Sequence, residues 1–272
     1  MRSVKIKEVI DALERFAPLP LQESYDNAGL QVGLTEAEVS GALLCLDVTE
    51  RVVDEAITKG CNLIVAHHPL IFRKLSQVTD ANYVQRTVIK AIKNDIVIVA
   101  MHTNLDAAFG GVNFKIAERL GLRDVRFFGR EKVVTNPLTD KKVTGGDGVI
   151  GCFDTPLAAD DLILLLKKEF DVECVQANEL LQREIQTVAL CGGSGSFLLQ
   201  DAINAGADAF ITGEMGYHEF FGHEQEIQLC VIGHYQSEQY TTEVLRDVIE
   251  RDCPGVKCCI SEINTNPIVY FS

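Results

Sequence analysis

The sequence contains 272 residues, of which 47% are hydrophobic and 24% are charged, and its formal net charge is −14. This length suits two domains of ordinary size, and the composition is that of a folded globular protein. The negative charge argues against a protein that binds along a nucleic-acid backbone, because such binding depends on Lys and Arg. It does not exclude a nucleotide substrate, since bound divalent cations can bring positive charge into an acidic cleft.

Nine cysteines are scattered along the chain without a C-x-x-C pair, which argues against a disulfide framework or a zinc finger. Residues 1–17 alternate charged and apolar side chains, so they do not resemble a signal peptide. No run approaches the ~18 consecutive apolar residues that a membrane-spanning helix needs. We therefore predict a cytoplasmic protein that does not enter a membrane, since free thiols suit a reducing compartment.

Apolar runs of strand length alternate with amphipathic stretches of helix length, a pattern that predicts an α/β protein with mostly parallel sheets. In the first half, strands are predicted at 41–47, 62–66 and 95–101, and helices at 50–59, 82–94 and 111–120. Residues 123–148 combine clustered charges with the Gly-rich run Thr144–Gly148, which we interpret as a linker or crossing between domains.

The same alternation returns after this segment. Strands are predicted at 148–153, 186–191, 207–212, 228–233 and 256–262, and helices at 158–170, 197–205 and 237–251. We therefore predict two α/β domains. The first consists of residues 1–125 plus 228–272 and would carry the metal site described below; the second is 126–227.

Four of the six histidines directly follow predicted strands. Open α/β sheets bind ligands at the carboxyl ends of their strands, so side chains at these positions are candidates for a functional site. An isolated histidine there is more often a structural group than a ligand, but four of them in three places favour a metal site. These histidines are His67, His68, His102 and His234.

Two carboxylates, Asp106 and Glu238, each follow one of these histidines by four residues. Imidazole and carboxylate together suit Zn²⁺, Mn²⁺, Fe²⁺ or Co²⁺. His67 and His68 are neighbours whose side chains diverge in extended backbone, so they suit two ions better than one. Glu238 can bridge two ions about 3.5–4 Å apart, the spacing of two-metal hydrolases. The pattern predicts a two-metal site that activates water to hydrolyse a small polar substrate.

Several motifs extend this pattern over the whole chain. In order, they are Ser24–Gly33 (SYDNAGLQVG), Leu46–Thr49 (LDVT), His67–Phe72 (HHPLIF), His102–Ala108 (HTNLDAA), Ile211–Glu214 (ITGE) and Gly233–Glu238 (GHYQSE). Together they resemble the NIF3-like dinuclear-metal family, also called GTP cyclohydrolase 1 type 2. The resemblance implies a NIF3-like fold of two α/β domains and a toroidal homohexamer. It assigns His68, Asp106 and Glu238 to one metal ion. It assigns His67 and His234 to the other ion, with Glu238 shared.

The same resemblance implies an activity, which is hydrolytic opening of the imidazole ring of GTP with release of formate. Two alternatives stay open: a phosphoester hydrolase with two metals, and a non-catalytic metal-binding or protein-interaction scaffold. Tyr25 stands where the family usually has Trp. No large inserted domain lies between residues 130 and 185, so the chain resembles the short form of the family.

Three further features are candidates for chemistry beside the metals. His102 has no ligand role in the family pattern, so we expect it either to face the substrate, close to the ions, or to be structural. Glu214 and His218 are four residues apart after a predicted strand, where either can act as a general acid or base or simply begin a solvated helix. The Gly-rich segment 192–196 is either a phosphate-binding loop or a tight turn.

Overall fold

The computed structural model describes residues 3–271 and divides them into two compact units, each containing one β-sheet. The first unit comprises residues up to Leu105, Thr135–Lys142, and the chain from Thr241 onward. The second unit comprises Asp106–Val134 and Val143–Tyr240. The predicted fold class, two α/β domains with mostly parallel strands, is confirmed.

The strands are numbered in chain order. They are β1 (Gly29–Val32), β2 (Ala42–Cys45), β3 (Leu63–Ala66), β4 (Val97–Ala100), β5 (Arg123–Thr135), β6 (Lys142–Leu157), β7 (Gln176–Ala177), β8 (Ile185–Cys191), β9 (Ala209–Thr212), β10 (Gln228–Val231) and β11 (Cys258–Ile260). The α-helices are α1 (Ile6–Phe16), α2 (Glu50–Lys59), α3 (Tyr83–Lys93), α4 (Thr103–Asp106), α5 (Val112–Leu120), α6 (Ala159–Glu169), α7 (Leu199–Asn204), α8 (His234–Glu238) and α9 (Thr241–Asp252). Short 3-10 helices lie at Leu19–Leu21, Ser196–Leu198 and Tyr217–Phe220.

The sheet of the first unit has the strand order β1-β4-β3-β2-β11. Strands β4, β3, β2 and β11 are parallel to their neighbours, and β1 is antiparallel at the edge. Capping explains where the helices begin and end: Thr49 and Asn82 accept hydrogen bonds from the first turns of α2 and α3. Gly60 ends α2 with φ 69°, a left-handed conformation that favours glycine.

The sheet of the second unit has the order β5-β6-β8-β9-β10-β7. Strands β8, β9 and β10 are parallel, whereas β6 and β7 run antiparallel to their neighbours β8 and β10. Helix α5 packs on α6 and β8 of this unit. The compact units divide the chain before Asp106, Thr135, Val143 and Thr241, and the predicted domain boundaries at 125/126 and 227/228 stay a prediction.

The predicted linker at 123–148 is wrong, because most of this segment forms β5 and the beginning of β6. The alternative, a crossing between domains, agrees with the assignment of Thr135–Lys142 to the first unit and of its flanks to the second. The glycines that suggested a loop instead make room for large side chains of the adjacent strand. A Cβ at Gly146 would lie 2.7 Å from the Phe127 ring, and one at Gly148 would collide with the Phe128 ring. Glycine inside a strand commonly marks such a close approach.

The central parallel strands are buried on both faces and form the core of each unit. Strands β2, β3 and β4 are fully buried, as are β9 and β10. All nine cysteines are free, and burial raises the pKa of the Cys230 thiol to about 12. Within residues 3–271, no helix has the length and apolarity that spanning a bilayer requires.

In both units, three adjacent parallel strands end at the same level. Cys45 pairs with Ala66, and Ala66 with Ala100, at the ends of β2, β3 and β4. Cys191 pairs with Thr212, and Thr212 with Val231, at the ends of β8, β9 and β10. The residues that follow these strands therefore emerge from one edge of each sheet, as expected for ligand-binding positions in α/β folds.

Candidate metal centre

Three histidines of the first unit lie together beyond the ends of β3 and β4. Their ring centroids are 4.8 Å apart for His67 and His68, 5.3 Å for His67 and His102, and 5.4 Å for His68 and His102. One ligand nitrogen from each lies within 4.8 Å of the other two. Such a group of imidazoles can hold a divalent metal ion.

Each of the three imidazoles is oriented by an oxygen atom 2.8 Å from its Nδ1. The partners are the Met101 carbonyl for His67, Asp47 Oδ1 for His68 and Asp26 Oδ1 for His102. A carbonyl or carboxylate oxygen only accepts, so Nδ1 carries the hydrogen and the lone pair of the neutral ring lies at Nε2. Metal-binding histidines are commonly held in this way. The donor set therefore fits a divalent ion.

Asp26 orients His102, and both of its carboxylate oxygens accept hydrogen bonds. Its side chain is fully buried. Oδ1 accepts from His102 and from the Asn27 amide at 2.7 Å, and Oδ2 accepts from the amide and hydroxyl of Thr103. Burial alone would raise the pKa of Asp26, but the hydrogen bonds from His102 and Thr103 outweigh it and lower the pKa to about 2. Asp26 is therefore ionised and fixed in place.

Asp47 performs the same task for His68. Its second oxygen accepts a 2.7 Å hydrogen bond from the Thr265 hydroxyl, near the carboxyl end of the chain. Burial opposes ionisation, yet the bonds from His68 and Thr265 leave the pKa of Asp47 below its ordinary value. Helix α2 is capped by Thr49, so Asp47 is free to serve as the partner of His68.

In the second unit, His234 lies between two carboxylates. Its Nδ1 donates to Glu214 Oε1 at 2.9 Å, and its Nε2 lies 3.1 Å from Glu238 Oε2. Glu238 is only 4% exposed, and the two residues share helix α8. A hydrogen bond from Ser194 lowers the pKa of Glu214, burial opposes this shift, and the charge of His234 adds to it. Two donors of the predicted metal set thus lie side by side.

Asp106 and Glu238 both lie near the buried thiol of Cys191. Burial raises the pKa of Cys191 well above its ordinary value, and the negative charges of Asp106 and Glu238 raise it further. Asp106 ends α4, and its carbonyl accepts a 3.2 Å hydrogen bond from Asn113 Nδ2. The second unit therefore brings two predicted carboxylate ligands into one neighbourhood.

The Gly-rich segment after β8 is a tight turn that supports the site. Its amides are engaged within the protein: Gly192 donates to Asn113, Gly193 to Ser237 and Gly195 to Thr212, at 2.9 to 3.1 Å. These amides therefore do not form a phosphate cradle. Gly193 has φ 59°, and a Cβ there would collide with Glu238 Oε1.

His218 lies in a different setting from the other candidate histidines. It is exposed and contacts the rings of Tyr217 and Phe221, with centroids 5.2 and 6.1 Å away. Its catalytic role stays a prediction, as does the metal set that combines residues of both units. The sequence did not indicate that Asp26 orients His102, or that Gly193 allows the Glu238 side chain to approach the backbone.

Comparison with known proteins adds the family. The family model described as Duf34/NIF3 (NGG1p interacting factor 3) matches residues 4–267. A Clostridium perfringens protein named GTP cyclohydrolase 1 type 2 homolog is 34% identical over 271 residues, covering 98% of this chain and 100% of that protein. A protein of the same name from Clostridium acetobutylicum is 32% identical over 250 residues, covering 91% and 90% of the two chains.

Solved structures agree with this result. The Staphylococcus aureus hypothetical protein SA1388 superposes with a TM-score of 0.88 at 28% identity, covering 99% of this chain and 100% of that one. A Bacillus cereus protein related to NIF3 gives a TM-score of 0.86 at 25% identity and covers both chains fully. The similarity therefore extends over the whole fold.

Proposed function

Because the chain belongs to the Duf34/NIF3 family, we propose that it is a two-metal hydrolase that opens the imidazole ring of GTP and releases formate. The curated relatives named GTP cyclohydrolase 1 type 2 homolog support the choice of reaction. The observation that carries the proposal is the shared orientation of the four histidines. Each has its Nδ1 bonded to an acceptor oxygen, which is how metal-binding imidazoles are held.

The proposed ligands follow the family resemblance. His68, Asp106 and Glu238 would hold one divalent ion. His67 and His234 would hold the other, with Glu238 shared. Zn²⁺, Mn²⁺, Fe²⁺ and Co²⁺ all suit these donors. When bound, such ions supply Lewis acidity, which makes water more acidic and polarises the bond under attack.

The chain's own residues prepare this chemistry. Asp26, Asp47 and the Met101 carbonyl keep three imidazoles in one tautomer, so their orientation does not change during the reaction. His102 lies beside His67 and His68, and we propose that it faces the substrate and exchanges a proton with it. We assign Glu238 the central catalytic position, and His218 a second proton-transfer role.

The test measures products and metal together. Purified protein reconstituted with Mn²⁺ or Zn²⁺ is incubated with GTP, and formate, inorganic phosphate and bound metal are quantified. Formate release that disappears in Glu238→Ala but persists in the exposed control Glu184→Ala would support the proposal. Release of phosphate, or of alcohol from a phosphoester panel, would instead identify a phosphoester hydrolase. Stoichiometric metal without either product would indicate a binding or interaction protein.

We further propose that the protein is a cytoplasmic homohexamer with two metal ions in each subunit. The resemblance implies a toroidal ring, and the free cysteines fit a reducing compartment. Light scattering coupled to size exclusion tests the assembly, with the mass of six 30.0 kDa chains as the expected result. A monomer at micromolar concentration would contradict the hexamer without affecting the metal assignment.

A further inference from the structure

Two exposed aromatic rings lie beside the histidine cluster of the first unit. Tyr25 is 67% exposed and Phe72 is 45% exposed, and their ring centroids are 6.5 Å apart. The Phe72 ring also meets the His102 ring edge-on, with 6.2 Å between the centroids. Large apolar rings left in water next to functional side chains are typical of a ligand-binding surface.

The backbone that carries these rings is held firmly. Phe72 follows Ile71, whose carbonyl accepts a 2.6 Å hydrogen bond from Asn27 Nδ2 and whose amide donates to Gln31 Oε1 at 3.1 Å. Asn27 lies two residues after Tyr25, so the segments bearing both rings are tied to each other. A ligand would meet them already in place, which reduces the entropy cost of binding.

Two cations continue the same segment. Arg73 and Lys74 directly follow Phe72 and are exposed. Among the residues that the structure describes, neither has an acidic partner within 4.0 Å. In a chain with a formal net charge of −14, two adjacent cations that are not neutralised locally can attract an anionic group.

We propose that the Tyr25 ring stacks on the planar base of a nucleotide while Phe72, whose ring meets that of Tyr25 edge-on, contacts the same base, and that Arg73 and Lys74 bind its phosphates, next to His102. Every base has an aromatic face, so stacking tolerates different bases. Charged guanidinium and ammonium groups are the usual partners of phosphate oxygens. The inference rests on the proposed function for the choice of a guanine nucleotide, and it names the side chains that would hold that substrate.

The chain contains no tryptophan, which permits a direct test. Tyr25→Trp keeps an exposed aromatic ring and introduces a single fluorescent reporter at the proposed stacking position. Tyr83→Trp is the matched control, because Tyr83 is 58% exposed and lies in α3 of the same unit. With Zn²⁺ present throughout, guanosine and GTP should each saturably quench the indole emission of the Tyr25→Trp protein and leave that of the Tyr83→Trp protein unchanged.

Further substitutions in the Tyr25→Trp protein distinguish binding of the base from binding of the phosphates. Phe72→Ala should weaken binding of both guanosine and GTP by about tenfold, whereas Ile92→Ala, another exposed apolar residue, should not. Replacing both Arg73 and Lys74 by Ala should weaken binding of GTP by about tenfold and leave that of guanosine unchanged. Inorganic triphosphate should compete with GTP only when Arg73 and Lys74 are present.

The outcomes are decisive and separable from those of the proposed function. Lack of saturable quenching in Tyr25→Trp, equal quenching in Tyr83→Trp, or unchanged affinity after Phe72→Ala would each overturn the inference. Saturable quenching in the Tyr25→Trp protein without formate release would leave the binding surface in place and reject the cyclohydrolase reaction. Formate release without any fluorescence response of that protein would reject the binding surface alone.

Discussion

The first unit holds His67 and His102 with buried partners, whereas the second unit holds His234 with an exposed one. The Asp26 side chain that anchors His102 is fully buried, while the Glu214 side chain that anchors His234 is 53% exposed. Water competes with an exposed hydrogen bond and screens its charge. The two histidine sites therefore differ in rigidity, although both follow level ends of parallel strands.

The difference in exposure concerns the carboxylates that orient the imidazoles, and not the residues that would bind metal. Removing a metal ligand should greatly reduce the content of bound metal, whichever unit the ligand belongs to. Removing the Asp26 carboxylate should cost more activity than removing that of Glu214, because the contact between Asp26 and His102 is buried. In the second unit, water can replace part of what Glu214 provides.

The largest expected effect is loss of metal when one ligand is removed from either unit. His68→Ala and Glu238→Ala should each lose at least one equivalent of bound metal, because too few donors remain for a stable site. Elemental analysis after reconstitution and desalting measures this loss. The exposed Glu184→Ala should retain the full content. Full metal content in both ligand variants would disprove the assignment.

Much of this arrangement could be predicted from short sequence patterns, because parallel strands and the residues that directly follow them are local features. The anchoring residues could not. Asp26 lies 76 residues from His102, and Thr265 lies 218 residues from Asp47, so no local spacing connects them. The Gly-rich run Thr144–Gly148 led to the wrong prediction of a linker for a different reason. Glycines that admit the rings of Phe127 and Phe128 look the same in sequence as glycines in a loop.

The next effect compares the two anchors directly. Asp26→Asn should lower formate release by about 10- to 100-fold, because the Asn amide group places hydrogen atoms opposite donors and no longer holds His102 in position. Glu214→Gln should lower formate release by about tenfold or less, since the Glu214 side chain is half exposed. Formate release at saturating Mn²⁺ measures both. A greater loss in Glu214→Gln than in Asp26→Asn would reverse the comparison.

A smaller effect tests how closely the second unit packs around Glu238. Gly193→Ala combines a left-handed backbone, φ 59°, with a collision against Glu238, and should destabilise the protein by about 2 kcal/mol and weaken metal binding. Gly206→Ala is the matched control, because Gly206 has φ 72° and nothing within 4 Å of its added Cβ. It should cost about 1 kcal/mol and leave metal affinity unchanged. Equal losses in the two variants would show that the collision is relieved.

The smallest expected effect concerns Asp208. It tests whether carboxylates of the second unit are weakly held in general or whether only the exposed Glu214 is. Asp208 lies at the amino end of β9, away from the level carboxyl ends, and accepts from the Gln186 and Thr187 amides at 3.0 and 2.9 Å, as well as from Arg183. Burial would raise its pKa, but these donors lower it. The stabilisation is therefore present above the ordinary Asp range and is lost as pH falls through the lowered value.

Asp208→Asn should accordingly reduce the free energy of unfolding by about 1 kcal/mol at pH 7, and the difference from the parent protein should shrink under acid conditions. Urea denaturation at a series of pH values measures both, with the exposed Asp161→Asn as control. A difference that stays constant down to low pH would mean that Asp208 is not ionised in the folded chain. A clear pH-dependent loss would show that the second unit contains a firmly held carboxylate. The weaker orientation of His234 would then result from the exposure of Glu214 and not from a general property of the second unit.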